Sequence, residues 1–202
     1  MSTIALQPAP VETRRRIVET AERLFREIGY QKTTVADIAK VLRMSPANVY
    51  RFFDSKKAIN EAVAERLMGE VEAALEAIAD RRVPAGERLR ALAECLHHMN
   101  AERYTANLRM HEMVEVALTE SWDVIHGHLE RVSAIYRRVV ADGVASGEFA
   151  VQDIDVAAGC VRFALIRFCH PALMVQCANE PGPTLTQMTE FVLAGLRCKE
   201  GR

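Results

Sequence analysis

The chain has 202 residues, 50% of them apolar and 26% charged, which suits one or two domains with a packed core and excludes a disordered chain. Its net charge of −1 hides an asymmetry: residues 1–60 carry 11 Lys/Arg against 6 Asp/Glu, a net +5, and residues 61–202 carry 15 against 21, a net −6. A basic end on an acidic body points to an anionic partner at that end only. In chain order, residues 1–10 (MSTIALQPAP) read as a flexible tail, without the basic and hydrophobic segments of a signal peptide. A first helix is expected from about Val11 to Ile28, with Ile17, Ala21, Leu24, Phe25 and Ile28 on one face and Gly29 as its stop. Arg14, Arg15 and Arg16 near its start are either a solvated face or phosphate contacts.

The next stretch, Thr33 to Lys57, carries the most information. Val35, Ile38, Ala39 and Leu42 recur at the spacing of one helix face. Thr34 is placed to cap that helix, with Asp37 three residues on as a capping-box partner. Arg43 and Met44 make a turn. Ser45 then supplies a hydroxyl cap, and Pro46 takes the first helical position, where its missing N–H is not needed. On this second helix Ala47, Asn48, Tyr50 and Arg51 face outward, while Val49 and Phe53 face inward. A short exposed helix offering an amide, a phenol and a guanidinium has the chemistry of base edges and phosphates in a major groove. The expectation is a helix-turn-helix that reads double-stranded DNA.

A long fourth helix is expected from about Lys56 to Ala79, capped by Asp54 or Ser55 and ending before Arg81, Arg82 and the Pro84–Gly86 break. Helical segments follow over about Ala85–Asn100, Asn107–Leu118, Ser121–Ser146, Ile154–His170 and Thr184–Leu196. Gly147 ends the third of these, Asp153 caps the fourth and Pro171 stops it. With no alternating apolar pattern and no repeat, the fold class is all-α. An N-terminal three-helix DNA-binding domain (11–55) is followed by a C-terminal helical ligand-binding and dimerisation domain (56–202). The helix from Ile154 is apolar all round, which requires burial all round. One face is therefore expected on the core and the other on a second subunit. A lone helix-turn-helix also reads few base pairs, so a two-fold homodimer gripping two half-sites is expected.

The sequence resembles the TetR/AcrR family of bacterial transcriptional regulators. The residues that carry the resemblance are Ala21, Leu24, Phe25, Gly29 and Tyr30, then T-T-V-x-D-I-A over Thr33 to Ala39, then Ser45, Tyr50, Phe53 and Lys56. It is motif-level over residues 12–60 and architectural beyond. Two positions depart from the usual pattern. Arg43 stands where many members have Gly, so a left-handed turn there would be strained. Phe52 stands where many have His, removing one phosphate donor. Ser45, Pro46, Ala47, Asn48 and Arg51 are the expected base-facing surface. Thr33, Thr34, Tyr50, Lys56 and Lys57 are expected to position phosphates.

Met99, Tyr104, Met110, Met113, Trp122 and Phe163 are soft or aromatic residues that pack a core or line an apolar pocket. The resemblance implies a small-molecule effector site in the helical body, with Asn107, Arg109 and His111 near enough in sequence to orient a polar head group. The effector's identity is open. The resemblance also implies a four-helix dimer interface from the last two long helices, for which Val156, Phe163, Arg167, Leu185, Met188, Phe191 and Val192 are the candidates. It implies signal transmission along the fourth helix and repression as the default mode.

Other chemistries are poorly supported. No apolar run reaches the roughly 18 residues of a membrane span. Five irregularly spaced cysteines are not a disulfide framework and fit a reducing cytoplasm. His126 and His128 face different sides of a helix, so no metal or other cofactor is expected. No nucleophile elbow, phosphate loop or HExxH marks an enzyme. Two alternatives stand beside the ligand-responsive repressor. One is a redox-sensing regulator using Cys160 or Cys169; the other is a helical interaction protein without a specific operator.

Overall fold

A computed structural model describes residues 10–105 and 108–197; the expected tail, apart from Pro10, lies outside the described residues. The elements in order are α1 (Pro10–Ile28), α2 (Val35–Val41), α3 (Pro46–Tyr50), α4 (Lys56–Ala79) and α5 (Ala85–Asn100). A π-helical turn (Ala101–Thr105) precedes α6 (Leu108–Glu120), α7 (Trp122–Ala145), α8 (Ile154–Cys169), α9 (Pro171–Gln176) and α10 (Leu185–Arg197). No strand occurs among the described residues, and the fold is all-α. Two elements were not expected, the π turn and α9. His170 adopts ψ 123°, the extended conformation favoured before proline. Pro171 therefore stops α8 and also opens α9 from its first helical position.

The chain forms two compact units, one of residues 10–67 with 108–124 and one of 68–105 with 125–197. In the first, α1 packs on α2 and α6, and α2 packs on α3. Ile17, Ala21 and Phe25 of α1 and Ile38 of α2 are buried, and the Phe25 and Tyr30 rings meet edge to face at 5.2 Å. α6 supplies the buried Met110, Met113 and Ala117. It thus joins the unit that carries the N-terminal helices, far away in sequence.

The second unit buries Leu75 and Ile78 of α4, Leu89 and Leu92 of α5, Tyr136 and Val139 of α7, Val161 and Leu165 of α8, and Leu193 of α10 in one cluster. Arg88 ties three of these helices together, donating to the Ala79 carbonyl at 2.7 Å and pairing with Asp142 at 2.8 Å. The helix expected from Ala85 starts there, within the Pro84–Gly86 break. Pro84 gives no side-chain cap, so Glu148 caps from afar, accepting the Ala85 N–H at 2.6 Å and the Gly86 N–H at 3.0 Å. Burial works to raise the Glu148 carboxyl, but the Gly86 N–H, the Arg197 guanidinium and the Ala85 N–H together hold it below the usual carboxylate range.

Arg43 has φ +54°, the one non-glycine residue with positive φ among those described. The left-handed turn expected to be strained is therefore present. An L-residue there is disfavoured by roughly 1–2 kcal/mol, partly offset in glycine by its freer unfolded chain. Arg43→Gly is expected to stabilise the first unit by about 0.5–1 kcal/mol. A melting temperature equal to or below that of the wild type would show that the turn carries no strain.

Candidate nucleic-acid interface

The N-terminal ends of α2 and α3 are built from local hydrogen bonds that the sequence announces. Thr34 accepts the Asp37 N–H at 3.1 Å, and Asp37 Oδ2 accepts the Thr34 N–H at 2.9 Å and its hydroxyl at 2.6 Å. That hydroxyl, followed by the backbone contact, holds the Asp37 carboxyl below its ordinary range. Ser45 Oγ accepts the Asn48 N–H at 3.2 Å, and Pro46 sits at the start of α3. Val49 is fully buried and Phe53 nearly so, which fixes the rotation of this single turn and a half.

With Val49 pinned inward, Ser45, Pro46, Ala47, Tyr50 and Arg51 are exposed on the opposite side. Asn48 is half-buried, with Nδ2 donating to Met44 Sδ at 3.9 Å. Thr34 and Lys57 are exposed and Lys56 half-buried. Ser55 caps α4 through the Ala58 N–H at 3.0 Å. Thr33 departs from the expected phosphate set. It is completely buried, its hydroxyl donating to the Gly29 carbonyl at 2.7 Å, so it fastens the α1–α2 connection and has no free donor for a phosphate. The arginine cluster also divides: Arg15 pairs with Glu12 and Glu19 at 2.8 Å, and the Arg14 guanidinium lies 4.6 Å from the Phe53 ring centroid.

The residues nominated for an effector site are dispersed. Met110 and Met113 are buried in the first unit, where His111 is half-buried. Tyr104 is buried in the second unit, and Met99 packs against that unit's core. Phe163 is 62% exposed. Asn107 and the Trp122 side chain lie outside the described residues. An open groove of the second unit is lined by other residues, Pro84, Glu87, Arg90, Ser146, Glu148 and Arg197. Two polar groups of the first unit stand out. Asn60 is 0% exposed with neither amide atom hydrogen-bonded, and His111 Nε2 is buried without a partner, both among the described residues. No local pattern marks Asn60, since its burial is decided by packing.

The residues nominated for a dimer interface also divide. Val156 and Phe163 on α8 are each 62% exposed, and Phe191 on α10 is 76% exposed. Leu185, Met188 and Val192 instead pack against the chain's own core. Arg167 is engaged within the chain, donating to the carbonyls of Cys177 at 3.2 Å and Glu180 at 2.9 Å. Of the two thiols named for redox sensing, Cys169 is buried, which pushes it up to about 12, away from the reactive thiolate, whereas Cys160 is exposed. Among the described residues no cluster of three metal-ligating side chains occurs, and no helix is long and apolar enough to cross a membrane.

Residues 17–63 match the bacterial regulatory proteins of the tetR family, and residues 85–186 match the tetracyclin repressor-like C-terminal domain. The chain belongs to the TetR family. It is a DNA-binding transcriptional regulator. This TetR-family regulator is 22% identical over 149 residues to the uncharacterized HTH-type transcriptional regulator YhgD of Bacillus subtilis (strain 168), covering 73% of this chain and 78% of that protein. Over 46 residues it is 48% identical to IcaR, the biofilm operon icaADBC HTH-type negative transcriptional regulator of Staphylococcus aureus. That likeness spans 23% of this chain and 25% of IcaR. A TetR/AcrR-family regulator from Thermobifida fusca YX-ER1 superposes with a TM-score of 0.65 at 26% identity, over 93% of this chain and 100% of that one. The regulator FadR from Bacillus subtilis, solved with stearoyl-CoA, shares the fold at a TM-score of 0.63 and 18% identity, over 90% of this chain and 96% of that one.

Proposed function

We propose that this TetR-family regulator is a repressor that grips a palindromic operator as a homodimer and releases it when a small molecule binds. The carrying observation is α3 with Val49 buried and Ser45, Pro46, Ala47, Tyr50 and Arg51 exposed on the basic part of the chain. Arg51 and Asn48 are the proposed base readers, flanked by Ser45, Pro46 and Ala47. Thr34, Tyr50, Lys56 and Lys57 are the proposed phosphate contacts. The compartment is the one that holds the DNA, the cytoplasm. The test is fluorescence anisotropy on DNA from immediately upstream of the protein's own gene, against random duplex, at two salt concentrations. Tight binding that survives moderate salt supports the reading; equal affinity for random duplex removes the self-operator.

The unpartnered Asn60 and His111 support an effector carrying hydrogen-bonding groups. A buried amide left unpaired costs about 1–3 kcal/mol, which such a molecule or an internal water would recover. By linkage, an effector that releases the operator binds less tightly to the DNA-bound form, by the same factor.

The exposed Val156, Phe163 and Phe191 support the dimer, since apolar side chains of this size open to water on two adjacent helices are suited to a like surface. α8 and α10 pack together, so one partner face would cover all three. Phe163→Glu combined with Phe191→Glu is expected to yield a folded monomer by sedimentation velocity, with operator affinity reduced at least tenfold. A double variant that remains dimeric would place the interface elsewhere.

A further inference from the structure

α6 carries carboxylate and guanidinium groups onto the joint between α1 and α2. Arg109 donates to the Glu27 carbonyl in the last turn of α1. Glu112 Oε2 accepts the Gln31 N–H at 3.3 Å. It also lies so close to Gly29, at φ +98°, that a Cβ there would stand 3.0 Å from it. The same short segment holds Lys56 from the other side. Lys56 Nζ donates to the Gln31 carbonyl at 3.3 Å and sits 4.2 Å from the Tyr30 ring centroid. One residue, Gln31, therefore takes Glu112 on its N–H and Lys56 on its carbonyl. Burial draws the Lys56 ammonium's pKa down and the Glu112 carboxylate counters it, so the two charges are within each other's field.

The neighbouring lysine is held in a similar way. Lys57 Nζ is 3.8 Å from Glu61, and Glu61 accepts a 2.7 Å hydrogen bond from Ser121, the residue that follows α6. Both lysines at the start of α4 thus face a carboxylate connected to α6 or its end.

We propose that Glu112 competes with DNA phosphate for Lys56, so that α6 sets how firmly the protein holds the DNA backbone independently of sequence. A phosphate that engages Lys56 must draw Nζ away from the Gln31 carbonyl, the Tyr30 ring and the field of Glu112. Removing the carboxylate's charge lowers that opposition and leaves α3 untouched. Any movement of α6 away from Gly29 and Gln31 alters this competition. The inference rests on the DNA-binding reading, and it deepens that reading by naming a residue through which regulation acts.

The experiment uses the full chain and a random-sequence duplex at low salt, followed by the upstream DNA. Glu112→Gln retains a side-chain carbonyl for the Gln31 N–H and removes the charge. The expected result is a two- to fivefold gain in affinity on both duplexes, about the size of one partly exposed charge interaction. The salt dependence should steepen by up to about one phosphate contact. The gain should vanish in a Lys56→Gln background. Glu112→Ala, which removes the hydrogen bond as well, should show the same Lys56-dependent gain and guards against a folding defect in either variant. Wild-type affinity in both Glu112 variants, or a gain that persists without Lys56, overturns the competition. Failure of the operator reading looks different: upstream and random DNA would bind equally, while the Glu112 effect on random duplex would still decide this proposal.

Discussion

Arg51→Ala is expected to lower affinity for the operator by about ten- to a hundredfold, the discrimination of one good bidentate base contact. Affinity for random duplex should change by only a few-fold. Arg51 is exposed at the end of α3, one residue beyond its last turn, and its guanidinium has no ion pair within the chain among the described residues. Lys57→Ala provides the contrast. A lost phosphate contact should weaken operator and random DNA alike and reduce the salt slope by about one. Anisotropy titrations of both variants on both duplexes, across a salt series, separate the two roles. If Arg51→Ala weakens both duplexes equally, Arg51 belongs with the phosphate contacts and base reading falls to Asn48.

Gly143→Ala should be the most disruptive single-methyl change in the second unit. A Cβ at this position would lie 2.1 Å from Phe149 Cδ2, 2.4 Å from its Cε2 and 2.9 Å from Ala85 Cβ. None of these neighbours has an easy way out. Phe149 is buried in the core cluster, and its own N–H and that of Glu148 are bonded to the Gly143 carbonyl at 3.0 and 2.8 Å. Ala85 is the first residue of α5 and is held by Glu148. Overpacking of this kind usually costs about 1–3 kcal/mol and sometimes more; the closeness of these contacts places Gly143→Ala near 3 kcal/mol. Urea denaturation gives the value directly. Adding Phe149→Leu should recover part of the loss, because the two sites share the same space. A Gly143→Ala protein as stable as the wild type would mean that α7 and the turn after it pack differently.

The helix-turn-helix was legible because its determinants are local. A cap and the N–H it satisfies lie three residues apart, as with Thr34 and Asp37 or Ser45 and Asn48, so a short window of sequence contains both partners. The same holds for Gly147 after α7, whose φ of +76° suits glycine, and for Asp153 capping α8. Arg43 was legible as a point of conflict, and the backbone adopts the strained conformation there.

Other features depended on partners distant in the chain. Thr33 looked like a phosphate donor beside Thr34, yet folding turns its hydroxyl back onto Gly29. Glu148 caps α5 across 63 residues and Glu112 reaches Gln31 across 81; no periodicity encodes such pairs. Pro171 both stops α8 and starts α9, because one residue type favours both a helix's end before it and a helix's beginning at it. By itself the sequence determined the long helices, the local caps of α2, α3, α4 and α8 and which side of α3 faces out, since those follow from interactions within one or two turns. Only the tertiary structure decided that α6 joins the DNA-binding unit, that Thr33 and Asn60 are buried, and that Val156, Phe163 and Phe191 remain exposed, because burial is settled by packing between helices far apart in the chain.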